Sequence, residues 1–220
     1  VFAQIKIYFI FIYFYFFKVI AIFSYVFIVK RSNFKIFVLE SDYSFTFYPR
    51  EAWSAVEAKY VEPLTTPVPN VVIHHTYIPG ACYTNKDCSA AMQSMQRYHN
   101  SLDWGDIGYN FCVGSEGGVY EGRGWEVKGI HAGRANGISL GVCLIGDWRG
   151  KRFIEFINMC TIDMHLIMTM NPDYKLIGHN QVMSTECPGE ALHSEIKTWE
   201  HFAEKIEYNV NLHHFFKSNK

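Results

Sequence analysis

The sequence contains no Cys-x-x-Cys pair and no His-x-x-x-His pair, so it lacks the local ligand pairs of a closed structural zinc site. It also lacks an excess of either charge. There are 20 Lys and Arg against 21 Asp and Glu, a formal net charge of −1 at pH 7. Nothing therefore points to nucleic acid or a strongly anionic partner. Bulky apolar residues are present but unevenly spread. Residues 1–47 are dominated by Phe, Ile, Tyr, Val and Lys and hold most of the phenylalanine. From Tyr48 onward the composition is that of an ordinary globular domain, and 220 residues allow one such domain plus a tail.

Within that tail, residues 7–29 are almost continuously apolar apart from Lys18, long enough to span a bilayer. Three readings stand open. As a membrane anchor, the run is followed by Lys30, Arg31 and Lys35, which by the positive-inside tendency would hold the domain in the cytosol. As a signal-peptide core it is long and has no small-residue cleavage site. The third reading is translated AT-rich non-coding sequence, since the segment is rich in Phe, Ile, Tyr, Lys and Asn and starts with Val.

Periodicity predicts a mixed central sheet flanked by helices, an α/β single domain over 48–220. Residues 71–77 are β-branched and bounded by Pro69 and Pro79, as a buried strand is. A helix is expected over 88–100, with Met92, Met95 and Tyr98 on its packed face. Residues 109–113 and 118–121 flank a Gly114-to-Gly117 turn as a hairpin, and 140–145 and 174–178 read as further strands. Leu192, Ile196, Trp199, Ala203 and Ile206 follow the rhythm of a C-terminal amphipathic helix. Residues 153–170 are apolar on nearly every side, as a fully buried helix or a divergent stretch would be. Cys112, Cys143 and Cys160 lie in apolar runs and read as small core hydrophobes.

The chemistry-bearing residues are His74, His179 and Cys187. Two imidazoles and a thiolate fill three corners of a tetrahedron and leave the fourth for water, the catalytic arrangement for zinc. A histidine ending an apolar strand is, taken singly, more often a core residue, and His74 lies far upstream of the other two. Spacing alone does not make the site; the segments around the three residues do.

Those segments are Arg50-Glu51-Ala52-Trp53, His74-His75-Thr76, Cys82 with Cys88, and Trp104-Gly105-Asp106-Ile107-Gly108-Tyr109-Asn110-Phe111. They continue through Val119-Tyr120-Glu121-Gly122-Arg123-Gly124-Trp125, Gly129-Ile130-His131, Leu144-Ile145-Gly146-Asp147-Trp148 and the stretches around His179 and Cys187. In this order they resemble the peptidoglycan recognition proteins and, more broadly, the zinc amidases that include a phage lysozyme. The resemblance runs from about Tyr48 to Phe202 and is nearest to the catalytic, insect-type members, because His74 and Cys187 are both present.

The resemblance implies an amidase-type fold, a zinc ion held by His74, His179 and Cys187, and a disulfide between Cys82 and Cys88. Such a bond belongs to an oxidising compartment, so a secreted, extracellular monomer is expected, with membrane attachment as the alternative if the tail is an anchor. The implied reaction is hydrolysis of the amide between N-acetylmuramic acid and L-alanine in bacterial peptidoglycan, in innate immunity. A receptor that binds peptidoglycan and signals without cleaving it is the competing function. Tyr109 stands at the family's catalytic tyrosine, and Thr185 where the phage enzyme has lysine. His75, Thr76, His99 and His131 would line the stem-peptide groove. Trp104 and Arg123 go with stem peptides bearing diaminopimelate, whose extra carboxylate a guanidinium can grip with two hydrogen bonds. The sequence departs from the family at Asp103, where glycine is usual, and at Asn180, where arginine is usual.

Overall fold

The computed structural model describes residues 45–150, 173–206 and 208. The apolar tail up to residue 44, and the 153–170 stretch with Cys160, lie outside them. Among the described residues no helix is long and apolar enough to cross a membrane.

Among the described residues six strands form one sheet: β1 Phe47–Tyr48, β2 Asn70–His75, β3 Phe111–Val113, β4 Val119–Glu121, β5 Ser139–Leu144 and β6 Lys175–Gly178. Their spatial order is β1-β4-β3-β5-β2-β6. β3 and β4 are the antiparallel hairpin, and every other neighbouring pair is parallel. β2 and β5 are buried at all six positions, which is why they read as continuous β-branched or apolar runs rather than alternating ones. The fold is α/β, with a mixed sheet covered on both faces.

One face carries Val71, Ile73, Val142, Leu144, Phe111 and Leu176 against Leu192 and Ile196 of the short helix α2, Glu190–Ile196. The other carries Cys112, Cys143, Tyr120 and Ile145 under helix α1, Asn85–Ser101. Thr84 caps α1, its hydroxyl accepting the Asp87 N–H at 3.2 Å. The packed stripe of α1 includes Cys88, Met92, Met95 and His99, whereas Tyr98 is 62% exposed. Tyr98 was expected on the packed face. Steps of three residues rotate about 60° around a helix each time, so 92, 95 and 98 drift off the stripe that 92, 95 and 99 keep.

Two further expectations change. Cys112 and Cys143 are buried, but they are not free: as direct register partners on β3 and β5 they are joined in a disulfide. Strand register decides that pairing, and neither strand's own sequence states its register. Cys82 and Cys88 form a second disulfide. The C-terminal helix stops at Ile196. Beyond it Leu176 N–H donates to the His201 carbonyl and Ala203 N–H to the Leu176 carbonyl, at 2.8 and 2.9 Å. Residues 201–203 thus satisfy the open backbone edge of β6, a demand that outweighs the helical rhythm.

Two residues that precede Tyr48 also pack with the sheet. Phe45 is buried in the core, and Phe47 pairs with Val119 and lies 6.5 Å, ring to ring, from Phe111. A chain beginning at Phe45 should accordingly be more stable than one beginning at Tyr48, by about 3 kcal/mol, the usual magnitude for removing a buried phenylalanine. Urea unfolding of the two fragments measures this. Equal midpoints would mean that β1 adds nothing to the sheet.

Candidate metal centre and active site

β2 is central, paired with β5 on one edge and β6 on the other, and it delivers His74 near its C-terminal end, 1% exposed. β6 runs parallel to β2 and stops at Gly178, so His179 emerges beside His74 in a single 3-10 turn, His179–Gln181. That turn is tied down on two sides. Gln181 accepts the Gly178 N–H at 2.7 Å and donates to the carbonyls of Ala203 and Glu204, while Asn180 Nδ2 lies 3.2 Å from His193 Nδ1 on α2. Cys187 arrives on the next loop. Gly189, at φ +95°, seats that loop against the Trp148 and Arg149 backbone, where a Cβ would meet backbone atoms at 2.5 to 2.7 Å.

These elements bring one ligand atom each from His74, His179 and Cys187 within 4.8 Å of one another. Cys187 Sγ is 3.7 Å from His74 Nδ1 and accepts the His75 backbone N–H at 3.3 Å. His74 Nε2 is engaged elsewhere, 3.0 Å from His131 Nδ1. His179 Nε2 is 3.2 Å from Met183 Sδ, and its Nδ1 is buried with no hydrogen-bond partner among the described residues. Both imidazoles therefore face the cluster with Nδ1. An orphaned buried nitrogen in a group of two imidazoles and a thiol is the donor set that zinc takes.

Burial sets the protonation states. It holds His74 well below the ordinary histidine pKa, helped by His131 and His179, and it lowers His179 to about 4 and His131 to about 3. All three rings are neutral at pH 7, with lone pairs free for a cation. Burial pushes the Cys187 thiol up to about 12, so a metal binding here would displace a proton from sulfur. Tyr109, whose ring centre is 5.2 Å from that of His74, has its phenol pKa raised by burial and then by Cys187, and it stays a donor.

A cavity of about 550 Å³ opens beside this cluster, lined by Thr76, Tyr77, Ile78 and Pro79 on one wall and by Ser94, Met95, Tyr98 and His99 of α1 on the other, with Tyr109. Of the expected groove residues, Thr76 and His99 line it. Thr76 Oγ1 donates to the Pro79 carbonyl and accepts the Gly146 N–H, closing the β2 loop. His99 accepts the Gly108 N–H on Nδ1 at 3.0 Å and stacks on Trp104 at 4.6 Å, which leaves its Nε2 as the protonated nitrogen.

His75, Trp104, Arg123 and His131 do not line that cavity. His75 lies on the opposite strand face from His74, as alternation requires, and its Nδ1 accepts the Trp148 N–H at 3.2 Å. His131 sits behind His74. Arg123 is buried and donates to three backbone carbonyls, those of Ile107 at 2.7 Å, Trp104 at 2.8 Å and Lys128 at 3.3 Å. Thr185 is exposed and its hydroxyl accepts the Cys187 N–H at 3.2 Å. Asp103 occupies a left-handed conformation, φ 59°, the backbone reason glycine suits that position.

Sequence reasoning missed Met183, Asn110 and, apart from His99, the cavity wall of α1. Asn110 donates to the Gly124 and Val127 carbonyls and accepts the Gly141 N–H, locking the segment that carries Tyr109 onto β5. A buried asparagine next to the tyrosine was the available signal.

His99 yields a pH prediction. Burial lowers its pKa to about 4, so the unfolded chain takes up the proton first. The stability this ring contributes is complete above about pH 6.5 and is lost as pH falls toward 4. Metal-free protein should show a falling urea midpoint across that window, and His99→Gln should flatten part of the slope. An unchanged slope in the variant would mean that His99 is not buried neutral.

Residues 64–190 match the family described as N-acetylmuramoyl-L-alanine amidase. Peptidoglycan-recognition protein LB of Drosophila melanogaster is 43% identical over 160 residues, 70% of this chain and 68% of that protein. An N-acetylmuramoyl-L-alanine amidase of Mus musculus is 39% identical over 168 residues, 71% of this chain but 31% of the mouse protein, so the chain spans about a third of that relative. The solved structure of peptidoglycan recognition protein-LE, in complex with tracheal cytotoxin (monomeric diaminopimelic acid-type peptidoglycan), is 37% identical with a TM-score of 0.68, over 72% of this chain and 96% of that one. The chain belongs to the N-acetylmuramoyl-L-alanine amidase family, among its peptidoglycan-recognition proteins.

Proposed function

We propose that this protein is a zinc-dependent N-acetylmuramoyl-L-alanine amidase that hydrolyses the amide between N-acetylmuramic acid and L-alanine of bacterial peptidoglycan, acting in innate immunity. The observation that carries the proposal is the convergence of His74, His179 and Cys187 within 4.8 Å of one another, beside the cavity that Tyr109 lines. A zinc ion held by these three residues would polarise the amide carbonyl and lower the pKa of a water in the remaining position.

This chain's own residues supply the rest. The cavity takes the peptide stem between the Thr76-to-Pro79 loop and α1. Tyr109, kept protonated by burial, donates its phenol hydrogen to the oxyanion that develops at the attacked carbon. Thr185 can donate its own hydroxyl hydrogen while accepting from Cys187 N–H, a neutral substitute for a lysine. His99, with its proton on Nε2, offers a further donor in the cavity wall.

The diaminopimelate type of stem peptide is the preferred substrate in this proposal. The complex of peptidoglycan recognition protein-LE with tracheal cytotoxin supports it, as do Trp104 and Arg123. Three hydrogen bonds to carbonyls use three of the five N–H groups of the buried Arg123, and the proposal assigns the other two to the ligand carboxylate. Secretion is proposed on the two disulfides, which need an oxidising compartment.

Mass spectrometry of muropeptides incubated with the protein, with and without chelator, tests the reading. Release of intact stem peptide, abolished by chelator and restored by zinc, is expected. Binding without cleavage would make the protein a receptor instead. Cys187→Ser should lose zinc and activity together, because serine is a poor ligand for this cation. Tyr109→Phe should keep zinc and lower turnover on the order of a hundredfold; an unchanged rate would reduce Tyr109 to packing. Arg123→Val should lower the unfolding free energy by about 2–4 kcal/mol, since it strands buried carbonyls, and separately it removes the proposed partner of the ligand carboxylate. Its effect on specificity therefore has to be read from the ratio of diaminopimelate-type to lysine-type affinities, which should fall toward one.

A further inference from the structure

We infer that His131 is a positioning residue for His74: its Nδ1 accepts the Nε2–H of His74 and so turns Nδ1 of His74 toward the metal. The inference rests on the zinc reading above. His74 has two ring nitrogens and only one can ligate. Nδ1 is the nitrogen beside Cys187 Sγ, at 3.7 Å, and Nε2 is 3.0 Å from His131 Nδ1. A ligand ring with its lone pair on Nδ1 carries its proton on Nε2, so His131 must receive it on an unprotonated Nδ1. The proton of His131 then sits on its own Nε2, which is buried with no hydrogen-bond partner among the described residues.

The surroundings are built to hold that ring. Gly141 lies inside the central strand β5, a position where glycine weakens a sheet and marks a close approach. A Cβ there would stand 2.5 Å from His131 Cγ and 2.7 Å from its Nδ1. A Cβ on Gly129 would collide with the same ring at Cδ2. Asn136 Oδ1 accepts the backbone N–H groups of His131 and Ala132 at 3.0 and 2.7 Å, anchoring the segment that carries the ring. Ligand histidines commonly donate their second N–H to a carboxylate or a carbonyl. Here a neutral imidazole takes that place, which avoids adding a second buried anion near the thiolate.

Two variants and one spectrum test this. His131→Leu removes the acceptor and keeps bulk, whereas His131→Asn keeps an acceptor close to the Nδ1 position. In zinc titrations against a competing chromophoric chelator, the leucine variant should bind zinc about 10- to 100-fold more weakly than wild type, the range for loss of an outer partner. The asparagine variant should recover most of that loss. Equal zinc affinities for the two variants would overturn the inference, because the ring would then be packing only. Long-range 1H–15N spectra of zinc-loaded wild type read the tautomers without any substitution. Nε2-protonated rings at both His74 and His131 are expected, and a proton on His131 Nδ1 would overturn the inference. A wild-type protein that binds no zinc would instead defeat the amidase reading itself, an outcome distinct from the other two.

Discussion

The imidazole of His74 is buried on an interior strand of the sheet, and the rest of the site is arranged around that fact. A charged ring could not stay there, so it is neutral and its lone pair is available. A buried ring nitrogen also has to be satisfied. One nitrogen faces His131, and the other faces the space shared with His179 and Cys187. Parallel pairing of β2 with β6 brings the second histidine alongside the first without any local motif linking them. Supporting contacts extend outward from there, through Gln181 to residues 203 and 204 and through Asn110 to β5.

Much of the fold was legible because its signals are local. The β-branched run before His74, the hairpin turn at Gly114 to Gly117 and the apolar rhythm over 88–100 each state their own conformation. The cores of β2 and β5 could be read as buried because no polar residue interrupts them before the strand ends. Long-range facts were not legible. The Cys112–Cys143 disulfide depends on the register of β3 against β5, and the end of α2 depends on the backbone edge of β6. Both are consequences of neighbours in space rather than in sequence.

The candidate site divides along the same line. His74, His179 and Cys187 could be named from their segments, and the fold gathers them. Orientation was beyond reach except at His75. Strand alternation puts the His75 ring on the far face, where it accepts from Trp148, while its backbone N–H still serves Cys187. Arg123 is engaged with three carbonyls that only the folded loops bring together. His131 and Met183 hold the outer nitrogens of the two histidines, roles that residue type alone does not announce.

The central claim is that one zinc ion takes two imidazoles and one thiolate from this chain. X-ray absorption at the zinc edge of the stoichiometrically loaded protein tests it most directly. The account predicts a first shell with one sulfur at about 2.3 Å and nitrogen or oxygen donors at about 2.0–2.1 Å, with the sulfur shell lost in Cys187→Ser. A shell without sulfur, or one with two sulfurs, would contradict it.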